Sequence, residues 1–143
     1  MKLIDEIRNE QKQHDDDTKI VKNEILDKFK NYYESENFKE FLKQKCKSAI
    51  NDNKNTIDLR VKFWEYCAGC SPTNFSAAGY CWKLGYERRD YKGITLRNIQ
   101  NEVCEDIYNA LKDTLQHMGF AIVRSEMHES RFGYFDKKIT ITW

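Results

Sequence analysis

The sequence predicts an α+β domain: a helical N-terminal half, then a small, mostly antiparallel sheet of three or four strands packed with one long helix. Three observations predict it. Apolar residues recur at helical spacing in residues 1–50, alternate strictly from Thr56, and return to helical spacing from Leu96. A chain of 143 residues has the length of one domain. We therefore expect 1–143 to form a single domain, with 1–50 as its helical part and 56–143 as the remainder.

Residues 2–33 carry two groups of apolar residues at helical spacing. The first group is Leu3, Ile4 and Ile7, and the second is Val21, Ile25, Phe29 and Tyr32. The polar stretch 9–17 separates them and ends in side chains that are suited to cap a new helix. The pattern fits one long helix with a hydrated middle as well as it fits two helices.

A further helix is predicted after the first thirty-odd residues. Ser35 or Asn37 is suited to be its N-cap, and Glu40 lies three residues after Asn37, as in a capping box. The predicted buried face consists of Phe38, Phe41, Leu42, Cys46, Ala49 and Ile50. The Asn- and Asp-rich residues 51–55 end this helix.

The residues after Thr56 predict a half-buried strand. Its apolar face consists of Ile57, Leu59, Val61 and Phe63, and its polar face of Asp58, Arg60 and Lys62. Residues 68–93 follow, and an unstructured loop of that length is unusual in a compact domain. We therefore expect a short strand within 79–84 that returns beside the first strand as a loose hairpin.

The C-terminal third predicts a helix and a hairpin. Thr95 is suited to cap a helix that ends at Gly119. The apolar face of this helix consists of Leu96, Ile99, Val103, Ile107, Leu111, Leu115 and Met118. Residues 120–127 and 134–143 then predict two strands, and in the last strand Ile139, Ile141 and Trp143 share the apolar face.

Charge and composition exclude some classes of protein. The 24 basic and 23 acidic residues give a net charge of +1, so the extended basic face of a protein that grips long duplexes is not expected. Neither a secretory signal nor a membrane-spanning run is visible, which indicates a cytoplasmic protein without membrane contact. The abundance of Lys, Asn, Ile and Glu is typical of AT-rich coding, and thus of a low-GC bacterium or its phages and mobile elements.

The cysteines offer a candidate metal site. Cys67 and Cys70 form a C-x-x-C motif, and Cys81 follows at a distance that allows a third zinc ligand. The chain has no second paired motif to complete the tetrahedron, and five cysteines in a reducing compartment argue against disulfides. We therefore expect ordinary reduced cysteines and no cofactor, with zinc on Cys67, Cys70 and Cys81 as the alternative.

Candidates for catalysis are weak. His14, His117 and His128 lie far apart in the sequence, and no motif joins them to a nucleophile. The carboxylates Glu102, Glu105 and Asp106 could hold a metal ion, but such a cluster is typical of the hydrated face of an amphipathic helix. The sequence therefore favours a non-catalytic protein over an enzyme.

The most informative stretch runs from Tyr80 to Arg97. It has five basic and two acidic residues, interleaved with aromatic side chains, and leads into a helix N-terminus that favours an anion. Arginine and aromatic side chains together recognise phosphates and bases, and they also dominate protein interfaces. The predicted binding residues are Tyr80, Trp82, Tyr86, Arg88, Arg89, Tyr91, Lys92 and Arg97.

These patterns predict a small soluble binding protein, such as a phage or mobile-element accessory protein, that inhibits or sequesters a protein partner or a small anionic ligand. Nucleotide or nucleic-acid binding by the same segment is the first alternative, and a zinc protein is the second. A homodimer could form through the N-terminal helices, although Gln11, His14 and Thr18 would place polar side chains in the centre of such a coiled coil.

Overall fold

A computed structural model describes residues 2–63, 80–82, 90–91, 93–128, 133 and 135–143, with the backbone alone for residues 63, 80–82, 90 and 91. The elements are helix α1 (Leu3–Tyr33), helix α2 (Glu36–Asn51), strands β1 (Thr56–Phe63), β2 (Tyr80–Trp82), β3 (Asp90–Tyr91) and β4 (Ile94–Thr95), helix α3 (Leu96–His117), and strands β5 (Ala121–Met127) and β6 (Asp136–Thr142). This order confirms the α+β class.

Helix α1 is one continuous helix. Of the two alternatives that the sequence left open, one long helix is therefore correct and two separate helices are not. Its second half lies in the core, where Val21, Ile25, Phe29 and Tyr33 are buried. Along residues 3–20 nearly every side chain is exposed, and only two are half-buried. We call residues 3–20 the N-terminal arm. The arm continues the helix into solvent, which explains why its middle is polar.

Helix α2 begins at the predicted cap. The hydroxyl oxygen of Ser35 accepts a hydrogen bond from the backbone N–H of Phe38 at 3.3 Å, whereas Asn37 lies inside the helix. Ala49 is buried, but the prediction for Ile50 was wrong, because 55% of this residue is exposed. Successive helical residues are rotated by about 100°, so Ile50 turns to the flank of the face that Ala49 occupies.

The larger sheet has the strand order β2-β1-β6-β5, and β3 and β4 form a separate antiparallel pair. Strand β6 is antiparallel to β5, as expected for the C-terminal hairpin, and it is also antiparallel to β1. The predicted hairpin between β1 and β2 was wrong: the two strands are parallel, with Val61 opposite Tyr80 and Phe63 opposite Trp82. A parallel pair requires a connection of about a dozen residues or more, and residues 64–79 are long enough to supply it.

The core lies between the helices and one face of the larger sheet. The predicted apolar face of α3 is buried from Leu96 to Leu115, and Met118 is partly buried. It faces the apolar side of the sheet, whose buried residues are Ile57, Leu59, Val61, Ile139 and Ile141. Trp143, predicted to share that side, is 48% exposed because it lies beyond the last ladder pair of β6.

The C-terminal end of α3 is closed by Gly119, which was predicted to end it. Gly119 has φ +100°. Its N–H donates to the carbonyl oxygen of Gln116 at 3.0 Å, and the N–H of Phe120 donates to that of Leu115 at 3.1 Å. This pair of bonds satisfies the last carbonyls of the helix and turns the chain into β5.

Candidate functional site

Segment Tyr80–Arg97, the predicted binding segment, starts at one edge of the larger sheet. The backbone of Tyr80–Trp82 forms β2, which is one edge of the larger sheet among the described residues. Cys81 is the register partner of Lys62 on β1. The backbone therefore brings the start of this segment next to the C-terminal end of β1.

The other end of the segment is a tight turn that leads into α3. Tyr91 on β3 pairs with Ile94 on β4, and Gly93 between them has φ +80°. Thr95 is the N-cap of α3 as predicted, but its side chain makes no capping hydrogen bond. The first turn of α3 contains no acidic residue, and Arg97 in that turn is exposed. The start of this helix is therefore electrostatically suited to an anion.

Several predicted site residues lie outside the described residues: Cys67, Cys70, Tyr86, Arg88, Arg89 and Lys92. For Tyr80, Cys81, Trp82 and Tyr91 the backbone position is known, and Arg97 is the only predicted ligand-binding residue with a described side chain. The proposed contacts of this segment, and the proposed zinc ligands, therefore stay predictions. In the described ranges no three His, Cys, Asp or Glu side chains converge as a metal site requires.

A set of ion pairs lies on the polar face of the sheet next to β2. Arg60 Nε lies 3.1 Å from Asp136 Oδ1, and Lys62 Nζ lies 4.0 Å from Asp136 Oδ2. Asp136 is buried, whereas the two basic side chains are about a quarter exposed. Two cations therefore share one carboxylate beside the backbone of β2. The sequence placed Arg60 and Lys62 on this face, but it did not reveal Asp136 as their partner.

The same arrangement recurs at the other edge of this face. Arg124 Nε lies 3.8 Å from one carboxylate oxygen of Glu126, and Lys138 Nζ lies 3.6 Å from the other. Lys138 is the cross-strand neighbour of Glu126, and such neighbours interact favourably when their charges are opposite. Arg124 lies two residues before Glu126 on the same strand, so it shares that face. In each of these two described clusters, two basic side chains contact one carboxylate.

A polar cleft lies between α2 and the start of β1. Lys45 Nζ donates a hydrogen bond to the carbonyl oxygen of Asp58 at 3.1 Å and lies 5.7 Å from the ring centre of Phe41. Partial burial lowers the pKa of Lys45, and the negative charge of Asp58 acts in the opposite direction. The Asp58 carboxylate in turn accepts a hydrogen bond from Thr140 Oγ1 at 2.6 Å. Because these groups form hydrogen bonds with one another, we interpret them as structural contacts that hold α2 against the sheet.

A second concavity, on the opposite flank of α2, is apolar. We call it the α2 groove; its volume is about 340 Å³. Its apolar residues are Leu42, Cys46, Ile50, Met118, Phe120 and Trp143, and Lys39 and Lys43 complete the lining. The groove joins α2 to the turn after α3 and to the end of β6. Sequence patterns did not reveal it, because its residues come from three separate parts of the chain.

Glu102, Glu105 and Cys104 of α3 each contact other parts of the fold. Glu102 forms an ion pair with Lys22 of α1, and Glu105 pairs with Lys137 at 3.2 Å, so each tethers α3 to a different element. Cys104 is fully buried in α3, and burial raises the pKa of its thiol well above the ordinary value. A buried thiol of this kind packs as a small apolar side chain.

No helix in the described part of the chain combines the length and apolar character needed to cross a membrane. Comparison with known protein families, with curated proteins and with solved structures found no match for this chain. The function must therefore be inferred from the residues themselves.

Proposed function

We propose that this chain is a small non-catalytic binding protein, which sequesters or inhibits a protein partner or an anionic ligand through the segment Tyr80–Arg97. The observation that supports this proposal most is the position of the described ends of the segment. It begins at β2, an edge of the larger sheet among the described residues, and it ends at the start of α3, where Arg97 is exposed and the first turn has no acidic residue.

Charge around this segment also favours an anionic target. Arg60 and Lys62 lie on β1 beside β2, and both contact the carboxylate of Asp136. Arg88, Arg89 and Lys92 would add positive charge from within the segment. Phosphate and carboxylate groups are the anions that arginine binds in bidentate fashion.

The aromatic residues of the segment would supply the remaining affinity. Trp82, Tyr86 and Tyr91 would stack on a base or fill pockets of a protein partner, as such residues do in interface hot spots. Residue usage typical of AT-rich genomes fits an accessory protein of a phage or mobile element that acts in the bacterial cytoplasm.

The test begins with native mass spectrometry of the full-length protein as isolated, compared with its denatured mass. ATP and a labelled single-stranded oligonucleotide of about fifteen nucleotides are then titrated by fluorescence. We expect the variant Arg88→Ala/Arg89→Ala to lose binding at least about tenfold, since each lost charge-assisted contact costs ~1.5–3 kcal/mol. The control variant Lys19→Ala/Lys47→Ala removes the same charge at exposed helical positions and should bind like the wild type.

Salt distinguishes the candidate targets. Binding to a nucleic acid should weaken steeply as salt is raised, because counterions are released on binding. Binding to a protein through tyrosine and tryptophan should weaken much less. If neither probe binds, the proposal of an anionic ligand is rejected. The proposal of a protein partner is then tested by comparing how much of a partner co-isolates with the Arg88/Arg89 variant and with the control variant. Unchanged binding of any target by the Arg88/Arg89 variant would contradict the proposal.

A further inference from the structure

The N-terminal arm exposes an apolar cluster at its tip. Leu3 is 70% exposed, Ile4 47% and Ile7 51%, and these three residues lie within two helical turns. Isolated helices of about 12–15 residues or fewer are marginal in water, and most helical stability comes from packing of an apolar face. The arm has such a face, but among the described residues of its own chain that face stays largely exposed.

The α2 groove has the complementary character. Its floor is aliphatic and aromatic, and it includes Ile50 and Trp143, which are both about half-exposed. Two lysines, Lys39 and Lys43, lie one helical turn apart along it, and no carboxylate is found among the described residues that line it. The groove therefore suits an amphipathic segment that is apolar on one side and acidic beside it.

We propose that the N-terminal arm of one copy of this chain lies in the α2 groove of a second copy, with Leu3, Ile4 and Ile7 on the apolar floor. Recognition of a helix by a groove commonly uses anchors at such spacing. The proposed contact is separate from the segment Tyr80–Arg97, so it can fail or succeed independently of the proposed function.

Charge complementarity selects this occupant. Residues 2–17 contain six acidic and three basic side chains, and Asp5 and Glu6 lie directly between the apolar anchors. In the groove these carboxylates would meet Lys39 and Lys43. Lys39 Nζ already lies 3.1 Å from Glu36 Oε1, but the Lys39 side chain is about half exposed and the Glu36 side chain is largely exposed. An exposed ion pair of this kind contributes little to stability, so Lys39 can leave Glu36 and pair with a carboxylate of the arm at little cost.

The same charges disfavour direct pairing of two arms. Two arms side by side would bring together two acidic segments, and like charges at close range are destabilising. Gln11, His14 and Thr18 would also place polar groups in the seam of such a pair. The arm-to-groove contact avoids both costs, because the polar and acidic side of the arm stays beside the lysines or in water.

Sedimentation equilibrium of the full-length protein, from about 1 to 100 µM, provides the test. The variants Asp5→Lys/Glu6→Lys and Lys39→Glu/Lys43→Glu should each weaken self-association at least about tenfold. An equimolar mixture of the two should associate again, because every arm then meets a groove of opposite charge. The control Lys47→Glu/Lys54→Glu makes the same charge change at exposed positions outside the groove lining and should associate like the wild type.

Contact positions are checked by replacing Ile4 with a photoreactive amino acid and crosslinking a mixture of ¹⁴N- and ¹⁵N-labelled copies. We expect isotopically mixed products that join the arm to residues 39–50. Products that join arm to arm would overturn the proposal, as would a mixture of the two charge variants that stays monomeric. A wild-type protein that is monomeric throughout, or that binds dodecanoate in the groove while it stays monomeric, would also overturn it.

Discussion

The side-chain carbonyl oxygen of Gln100 accepts a hydrogen bond from the backbone N–H of Phe135 at 2.8 Å inside the protein. Gln100 lies in the first two turns of α3, and Phe135 precedes β6 directly. One buried amide thus joins the start of the long helix to the start of the central strand. It also satisfies a buried backbone donor outside the sheet ladders.

Replacing Gln100 by Leu should destabilise the protein by about 1–3 kcal/mol, because the buried N–H of Phe135 would lose its acceptor. Urea unfolding should show a lower midpoint with an unchanged slope. Gln116→Leu serves as the control, since Gln116 is exposed on the same helix. Equal stability of the Gln100 variant and the wild type would show that this hydrogen bond contributes nothing.

Replacing Gly119 by Ala should cost about 1 kcal/mol, because φ +100° is unfavourable for a residue with a Cβ. A Cβ built at Gly119 meets no atom within 4 Å, so the cost would come from the backbone alone. Gly119→Asn should lose less, because asparagine tolerates positive φ better than other residues. Thermal unfolding of both variants measures the difference, and a loss as large for Asn as for Ala would contradict this account.

Cys104 should make the protein less stable as the pH rises above 9.0, the ordinary value of a thiol pKa. Burial, and secondarily the negative charge of Glu105, raise the pKa of the folded thiol well above that value. Below this pH both states hold the proton and the full stability is present. Above it the unfolded thiol ionises while the folded thiol does not, so stability is lost at up to ~1.4 kcal/mol per pH unit.

The measurement is urea unfolding of the wild type and of Cys104→Ala between about pH 7 and pH 10. The variant should be less stable at pH 7 because it leaves a cavity, but its stability should fall less steeply above pH 9. Other alkaline groups, including Tyr32, whose pKa burial raises to about 12, are common to both proteins. Parallel slopes for the two proteins would refute the role of Cys104.

Chelation tests the cysteines of the C-x-x-C region. We expect Cys67, Cys70 and Cys81 to be reduced thiols without metal, so EDTA should leave the urea midpoint unchanged. Metal analysis of the purified protein should then find no stoichiometric zinc. One zinc per chain, together with loss of folding in EDTA, would instead identify a structural metal site.

The helices and the C-terminal hairpin could be predicted because their burial is set by local periodicity. In α3, apolar residues recur every three or four positions, and those from Leu96 to Leu115 are buried. In β1, strict alternation places Ile57, Leu59 and Val61 in the core. Patterns of this kind depend only on which side of an element meets the rest of the protein.

Features set by distant parts of the chain could not be predicted. The direction of β2 depends on how the chain returns to the sheet, and alternation along a strand is the same in either direction. Asp136 joins Arg60 and Lys62 only through the pairing of β1 with β6. The continuity of α1 was left open for a similar reason. The polar composition of residues 9–17 is compatible both with a loop and with a solvent-exposed helix.

At the candidate site, two structural elements were predicted, whereas the binding role of its residues stays a prediction. Thr95 is the N-cap of α3 as expected, and the predicted strand within 79–84 exists as β2. The α2 groove was missed because Ile50 and Trp143 were both assigned to the core from periodicity, whereas both line the groove and are about half-exposed.

The length of α1 affects the hydrodynamics of the protein. The arm, residues 3–20 of α1, extends about 27 Å, whereas a compact globule of 143 residues has a radius of gyration of about 14 Å. An arm that protrudes from the body raises the frictional coefficient without adding mass. A single chain should therefore elute from a gel-filtration column ahead of globular standards of 17.1 kDa, and its apparent size would imitate that of a larger particle.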